Sequence, residues 1–423
     1  MSQRRRQAAL VAYRAASDLA GKGAFFLVTL VAARRLSQDA FGLFALGTTV
    51  GWIATVATDF GIQLHLAREV AQRPGDAARL LKVWLRIRVW TAALALMTVA
   101  IGLALTSHSS AFSRAILLFT FVYVVNGLIE FLHYFYRGLA RSDVESTLTL
   151  WQRFAMLILA TVALWWKPDV TLLAVAMAIP ALVMFWYSAR LATRLATTNL
   201  SSPSNRSNPR DAIGSVIPIG AGIVLSALYF RIDVFMVEAW QGTTAVALYN
   251  AVFRLVEALR LFPAAVLAVA LPMLFQATSR QVLLKLSALL TAAAIAVSLA
   301  LWVGAGTVIP ILYGARYAAA VPAFRILLLA FPLMALNYAL THQLIGWHGH
   351  RAYAAMCGVA LAFNVALNVR LIPSIGIVGA AWATVATELV ITFGCLIALS
   401  RIAQFSNLSN LSNPANLSSV VLS

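Results

Sequence analysis

The chain has 423 residues, of which 61% are hydrophobic and only 11% are charged. An ordinary soluble domain has about 45–50% apolar and about 25% charged residues, so this composition excludes a water-soluble globule. The net charge of +18 would point to nucleic acid in a soluble protein. In a membrane protein basic residues instead gather in cytoplasmic loops, and we therefore predict no nucleic-acid partner.

Long apolar runs along the chain predict transmembrane helices. A helix needs about 20 apolar residues to cross a bilayer, and runs such as 92–105 and 288–303 lack the alternation of a barrel strand. In chain order we predict about twelve spans of sufficient length. They are 15–36, 40–66, 83–105, 115–136, 147–166, 170–189, 212–237, 245–274, 284–304, 320–345, 353–371 and 375–399. The predicted fold class is an all-α polytopic membrane protein.

The basic residues also predict the orientation. Residues 1–14 are basic and precede a first span that contains Asp18 and Lys22, which is typical of a retained span and not of a cleaved signal. An even number of spans then places both termini in the cytoplasm. Most lysines and arginines between the spans fall on the cytoplasmic side, as the positive-inside rule expects. This assignment counts Arg88, Arg137 and Arg153 with that side.

The chain divides into two halves of similar length. The stretch 193–211 is rich in Ser, Asn, Pro and Arg and predicts a cytoplasmic linker between six-helix bundles at 15–192 and 212–400. Residues 401–423 repeat Ser-Asn-Leu and predict a disordered cytoplasmic tail. Two bundles that face each other across a central cavity are common among secondary transporters, and we expect that arrangement here.

We take about ten ionisable residues of the predicted spans to lie at bilayer depth. Such a group costs at least a few kcal/mol at bilayer depth, so it is retained where it faces a partner or a wet cavity. The ten are Asp18, Lys22, Asp59, Glu130, Arg231, Asp233, Arg254, Glu257, Arg260 and Glu388.

The spacing of these residues predicts which of them interact. Asp18 and Lys22 are four residues apart and share a helix face, where they can neutralise each other as a structural tether. Arg254, Glu257 and Arg260 step by three along one face, which fits a self-neutralising ladder as well as a ligand site at Glu257. Arg231 and Asp233 are two residues apart, so they point to different sides and each needs its own partner.

The basic members of this set predict an anion site. We expect Arg231, Arg254 and Arg260, joined by Lys22, to bind the phosphate oxygens of a substrate, because arginine binds them with two parallel hydrogen bonds. A purely structural network is the alternative. The acidic members are candidates for coupling to H⁺ or Na⁺, again with a structural role as the alternative. These candidates are Asp233, Asp18, Glu257, Asp59, Glu130 and Glu388.

Several enzyme signatures do not occur in the sequence. It has no Gly-x-x-x-x-Gly-Lys-Ser/Thr loop, no His-Glu-x-x-His zinc motif and no Gly-x-Ser-x-Gly elbow. We therefore predict a protein that is not an enzyme, with no catalytic residue, no cofactor and no metal site.

Four stretches together resemble one family. They are Tyr229-Phe230-Arg231-Ile232-Asp233-Val234-Phe235-Met236 with Ala247-Leu248-Tyr249-Asn250-Ala251 and Arg254; Ile311-Leu312-Tyr313-Gly314 with Tyr317; Asn364, Leu367-Asn368, Leu371-Ile372-Pro373, Gly376, Gly379-Ala380-Ala381, Ala383-Thr384 and Glu388; and Arg34-Arg35-Leu36-Ser37 with Phe41-Gly42. This pattern resembles the polysaccharide-exporting flippases of the multidrug/oligosaccharidyl-lipid/polysaccharide (MOP) exporter superfamily, and among them the Wzx-type O-antigen flippases.

The resemblance implies a V-shaped pair of six-helix bundles in the inner membrane of a bacterium. It implies that this protein moves an undecaprenyl-pyrophosphate-linked oligosaccharide from the cytoplasmic to the periplasmic leaflet. It also implies a cationic lumen, whose motif positions here are Arg231 and Arg254, whereas Arg260 and Lys22 rest on depth and charge alone. We expect a monomer in the lipid bilayer, with polysaccharide polymerases as candidate partners. A drug:cation antiporter on the same fold is the rival. A repeat-unit polymerase or glycosyltransferase would need a sizeable periplasmic loop, which the sequence does not predict.

Overall fold

The structure, a computed structural model, describes residues 3–198, 209–264, 266, 280–347 and 349–411, with side chains over 13–197, 220–264, 266, 285–347 and 349–401. Twelve α-helices and no strand occur in these residues. The helices are α1 (Gln3–Arg35), α2 (Gln38–Asp59), α3 (Ile62–Gln72), α4 (Ala77–Ala104), α5 (Ser110–Gly138), α6 (Ser142–Trp166), α7 (Val170–Thr198), α8 (Pro209–Leu259), α9 (Arg280–Tyr313), α10 (Val321–Gly346), α11 (His350–Ile375) and α12 (Ile377–Leu411).

Eleven segments of the described chain are long and apolar enough to cross a membrane. The seventh, Gly220–Ala264, has 45 residues and breaks at Gly242, whose φ of 77° and ψ of 179° leave the helical region. A positive φ carries little penalty in glycine, so the chain reverses there between two limbs of α8, 209–241 and 243–259. These limbs correspond to the predicted seventh and eighth spans, and the predicted fold class is confirmed.

Several helix ends differ from the predicted bounds. The second span ends at Asp59 and not at residue 66, because Phe60 and Gly61 adopt left-handed φ values of 43° and 83° and α3 follows as a separate short helix. Helix α7 reaches Thr198, and α8 begins at Pro209, so both helices extend into the predicted linker. Residues 199–208 of that linker lie outside the described residues.

Within the predicted tail, residues 401–411 continue α12 as helix. The rest of the tail, 412–423, lies outside the described residues. Hydropathy alone predicts where a helix is long enough to cross the membrane, but it does not mark where a helix that leaves the apolar layer ends.

Helix packing defines the two halves. In the first half α1 packs on α6, α2 on α5, and α5 on α7; in the second half α8 packs on α11, and α10 on both α9 and α12. Helix α2 also packs on α8 across the halves, around buried rings such as Phe41, Phe44, Tyr249 and Phe253. Large apolar side chains, including Trp90, are exposed on the outer surface, where lipid replaces water as the contacting solvent.

At one end of the molecule polar contacts tie the two halves together. Arg316 donates to three backbone carbonyls at the end of α1, at 2.5 to 3.0 Å. Arg34 in turn donates to the carbonyl of Leu312 at 2.8 Å. Asp39, at the start of α2, accepts from the hydroxyl of Thr243 at 3.1 Å. We call this set, formed by 33–42, 243–244 and 311–317, the closed end.

The closed end is also tightly packed. A Cβ atom at Gly42 would lie 2.0 Å from the carbonyl oxygen of Thr243, so only glycine permits this approach of α2 to the second limb of α8. The rings of Phe41 and Tyr317 meet edge to face, with centroids 6.0 Å apart. Three of the motif stretches noted in the sequence, around 34–42, 247–251 and 311–317, therefore lie at or beside one junction between the halves.

Candidate functional site

A cavity of about 500 Å³ lies inside the bundle. Helices α1, α2, α5, α6 and α7 of the first half line it, and the second limb of α8 completes the wall with Arg254 and Glu257. The lining extends from Thr29 and Met177 to Arg137 and Glu145 at the α5–α6 connection, away from the closed end. The cavity therefore extends toward the end of the bundle that the sequence assigns to the cytoplasm.

The charged side chains of this cavity balance in number. The basic residues in its lining are Lys22, Arg137, Arg153 and Arg254, and the acidic ones are Asp18, Glu130, Glu145 and Glu257. Three cations are held by acids: Lys22 by Asp18 at 2.7 Å, Arg137 by Glu145 at 2.5 Å and Arg254 by Glu257 at 2.9 Å. The resemblance implies a cationic lumen, whereas this lining carries as many formal negative as positive charges.

Two arginines of α8 share one carboxylate. Nη2 of Arg231 lies 2.6 Å from Oε2 of Glu257, and Nη1 of Arg254 lies 2.9 Å from the same oxygen. Arg231 is also 3.4 Å from Oδ1 of Asn250 and lies over the ring of Phe253. The Arg231 side chain is only 3% exposed. Of this pair, Arg254 reaches the cavity and Arg231 lies behind it.

The other predicted members of the anion site are separate from this pair. Lys22 lines the same cavity and contacts Asp18, as the four-residue spacing predicts. Arg260 lies with its guanidinium 4.5 Å from the centre of the Phe230 ring. Within the described residues Glu257 thus pairs with Arg254 along its own limb and with Arg231 across the two limbs of α8, and it makes no ion pair with Arg260.

Asp233 has a partner of its own and makes no ion pair with Arg231 among the described residues, as the two-residue spacing predicts. It is 2% exposed and accepts hydrogen bonds from the hydroxyl of Tyr249 and the backbone N–H of Val234. The Tyr249 hydroxyl is also 3.3 Å from that of Thr384, so Asp233 connects α8 to α12. Asp233, Tyr249 and Thr384 do not line the cavity.

Glu388 belongs to another buried group. Its carboxylate accepts from the side-chain amide of Asn337 at 2.7 Å, and Asn337 in turn accepts from Thr392 at 2.8 Å. These residues join α10 to α12 away from the cavity lining.

Asp59 and Glu130 belong to the first half. Asp59 is 6% exposed, and its carboxylate accepts the backbone N–H groups of Gly61 and Gln63, both at 3.2 Å, at the turn into α3. Arg88, which the sequence assignment counted with the cytoplasmic side, is instead only 1% exposed and close enough to Asp59 and Glu130 for their charges to interact. Glu130 faces the cavity.

Three of the acidic and basic residues in the lining were not among the sequence candidates: Arg137, Glu145 and Arg153. The predicted spans end at residue 136 and begin again at 147, so Arg137 and Glu145 fall between them. Helix α6 begins at Ser142, which moves Arg153 from near a predicted span end to the middle of the helix. The sequence feature that could have identified Arg153 is its position within an apolar run, the same feature that identified Arg231.

Comparison with known families now identifies the chain. A family model described as polysaccharide biosynthesis protein matches residues 9–278, which is more than half of the sequence, and the chain belongs to this family. None of the curated proteins compared with the chain matches its sequence.

Solved structures show the same fold. An inward-facing multidrug resistance MATE family transporter of the MOP superfamily is 13% identical, with a TM-score of 0.72 over 91% of this chain and 96% of that chain. An outward-facing MATE family transporter is 14% identical, with a TM-score of 0.68 over 94% of this chain and 96% of that chain. A third match is a MOP superfamily transporter from Pyrococcus furiosus, which is described as having a binding pocket of reverse polarity. It is 15% identical, with a TM-score of 0.65 over 93% of this chain and 95% of that chain. The chain thus has the fold of the MOP superfamily.

Proposed function

We propose that the protein is a flippase that moves lipid-linked oligosaccharides, carried on undecaprenyl pyrophosphate, from the cytoplasmic to the periplasmic leaflet. The observation that carries this proposal is the polar cavity inside the apolar bundle, which extends toward the predicted cytoplasmic end while the opposite end is tied shut. Membership of a polysaccharide biosynthesis family supports a glycan as the cargo.

The cavity offers the groups that a sugar needs. Gln152 donates its side-chain amide to that of Asn126 at 2.7 Å, and both line the cavity together with Trp52 and Tyr123. Amides supply donors and acceptors for sugar hydroxyls, and aromatic rings supply flat apolar surfaces for sugar rings. A volume of about 500 Å³ falls in the range of ordinary ligand pockets, so it accommodates a short glycan whose lipid stays in the bilayer.

The pyrophosphate needs positive partners, because a buried diphosphate without them would be very costly. Arg254 supplies one at the cavity wall, with Arg231 behind it and Lys22 on the opposite helix. Arg260 remains a candidate outside the cavity lining.

Alternating access supplies the transport cycle. A substrate shifts the balance between two states only through a difference in its affinity for them, so something must reset the empty protein. Uptake of H⁺ or Na⁺ by a buried acid is our proposal for that step, with Asp233 as the first candidate because it joins α8 to α12. The remaining candidates are Asp18, Glu257, Asp59, Glu130 and Glu388.

A drug:cation antiporter is the second candidate function. The acids in the cavity lining favour it, because they equal the basic residues in number and a cationic guest needs negative partners. The two functions differ in cargo, so transport experiments distinguish them.

The test uses proteoliposomes that contain the full chain and a fluorescent undecaprenyl-pyrophosphate oligosaccharide. We expect wild-type protein to translocate the lipid and Arg254→Ala to slow translocation about tenfold, the effect of losing charge-assisted hydrogen bonds. Arg190→Ala is the matched control, since Arg190 is exposed and lies over Trp186 outside the cavity. A pH or sodium gradient imposed across the vesicles identifies the coupling ion.

If wild-type protein translocates no lipid-linked sugar and instead expels a cationic dye, the flippase proposal is wrong and the antiporter is correct. A rate that is equal for Arg254→Ala and the Arg190→Ala control would leave the flippase standing and remove Arg254 from its site.

A further inference from the structure

One cation in the cavity differs from the other three. Lys22, Arg137 and Arg254 each lie within 3 Å of a carboxylate oxygen. Arg153 lines the same cavity, but within the part of the chain whose side chains are described it makes no ion pair and no hydrogen bond. Its charge is therefore free for a ligand without the loss of an existing pair.

The depth of Arg153 makes this freedom unusual. It lies near the middle of α6 (Ser142–Trp166), one of the segments apolar enough to cross the membrane. An unpaired charge at that depth costs at least a few kcal/mol unless it faces water or a partner. Arg153 is half-buried and faces the cavity, so the cavity is the place from which a partner can reach it.

The neighbouring helix makes room for the stem of Arg153. A Cβ atom at Gly21 in α1 would lie 3.2 Å from Cγ of Arg153 and 3.4 Å from Cγ2 of Thr149, closer than comfortable packing allows for the former. The absence of a side chain at Gly21 thus lets the arginine stem pass along α1. This close packing holds the stem while the guanidinium remains at the cavity.

One acid opposes an anion at this place. Glu130 faces the same cavity, likewise has no ion pair within the described side chains, and is close enough to Arg153 for the two charges to interact. Its negative charge repels a bound anion. Removing that charge must therefore strengthen anion binding, which gives the proposal a second variant with the opposite sign.

We propose that Arg153 makes the first contact with the anion in the cavity and takes a phosphate or carboxylate oxyanion of the lipid-linked sugar. The planar guanidinium suits such oxygens, which it binds with two parallel hydrogen bonds. This inference rests on the proposed function, and it moves the first contact with the anion from the neutralised Arg254 to the free Arg153. The oxyanion comes either from the pyrophosphate or from an acidic sugar.

The experiment measures binding of three probes to purified full-length protein: undecaprenyl pyrophosphate alone, the same lipid with a neutral trisaccharide, and the same lipid with a uronate-containing trisaccharide. We expect Arg153→Ala to raise the dissociation constant about tenfold and Arg153→Lys to raise it less, because lysine keeps the charge but loses the paired hydrogen bonds. We expect Glu130→Gln to lower it severalfold. Arg86→Ala, at an exposed arginine outside the cavity, is the control.

The three probes identify the source of the oxyanion. If Arg153→Ala weakens the binding of all three probes, Arg153 binds the pyrophosphate. If it weakens the binding of the uronate probe alone, Arg153 binds an acidic sugar. Unchanged binding of every probe by Arg153→Ala, or weaker binding by Glu130→Gln, overturns the inference. If wild-type protein binds and translocates none of the lipids, the proposed function has failed instead, and Arg153 is not the reason.

Discussion

Two pairs of charged residues, one pair in each half, occupy opposite environments. In the first half Arg153 and Glu130 face the cavity and have no ion pair within the described side chains. In the second half Arg231 and Asp233 are each 2% exposed and held by neighbours, Arg231 by Glu257 and Asp233 by the Tyr249 hydroxyl. The difference teaches that depth alone does not mark a ligand site, because a buried charge with a partner holds helices together, whereas a cavity-facing charge without one is available to a substrate.

The largest effect should come from removing the carboxylate between the two arginines. Glu257→Gln leaves Arg231 buried with no opposite charge, and breaking a buried pair in this way costs about 3–5 kcal/mol. We therefore expect a clear fall in the thermal stability of the purified protein, measured by size-exclusion chromatography after heating.

Glu130→Gln is the matched control for that substitution. Glu130 is also an intramembrane acid, but it faces the cavity and holds no cation within 4 Å among the described residues. It should lower thermal stability much less than Glu257→Gln does, because Glu130 holds no buried arginine at ion-pair distance among the described side chains. Equal losses of thermal stability in the two variants would contradict the distinction between charges that hold helices together and charges that are available to a substrate.

The next largest effect concerns the closed end. Arg316→Ala removes the donor to three carbonyls of the first half, so this end should separate more often. A cysteine placed at the buried Thr48, below the closed end, should then react about tenfold faster with a membrane-impermeant thiol reagent, which corresponds to about 1.4 kcal/mol.

Arg325→Ala provides the comparison for this measurement. Arg325 donates to the carbonyl of Trp302 within the second half, at 3.3 Å, and so does not tie the halves together. Faster labelling in both variants would show a general loosening and not the opening of one end.

The sequence predicted the fold well because hydropathy dominates inside a bilayer. Apolar runs of sufficient length place the helices, and the seventh and eighth predicted spans were recovered as two limbs of one long element. What hydropathy could not predict was local backbone geometry: the left-handed pair Phe60 and Gly61 ends α2 early, and Gly242 sets the reversal in α8.

The site was predictable only where spacing along one helix decides a contact. The Asp18 and Lys22 pair and the divergence of Arg231 from Asp233 both follow from helical periodicity. The contact of Arg231 with Glu257 depends on how the two limbs of α8 pack, which no periodicity predicts. Arg153 was missed for another reason, since the start of α6 at Ser142 and not at 147 is what places it in mid-membrane.

The smallest effect tests whether packing against α1 holds Arg153 in place. Gly21→Ala puts a methyl group 3.2 Å from Cγ of Arg153, so the arginine must move by a few tenths of an ångström. We expect the dissociation constant for undecaprenyl pyrophosphate to rise about twofold to threefold, or roughly 0.5 kcal/mol. Gly23→Ala, on the same helix with nothing within 4 Å of its added carbon, is the control. Because both substitutions raise helix propensity by the same amount, about 1 kcal/mol, a difference in binding between them isolates the contact with Arg153, and identical binding would show that the arginine stem is not held there.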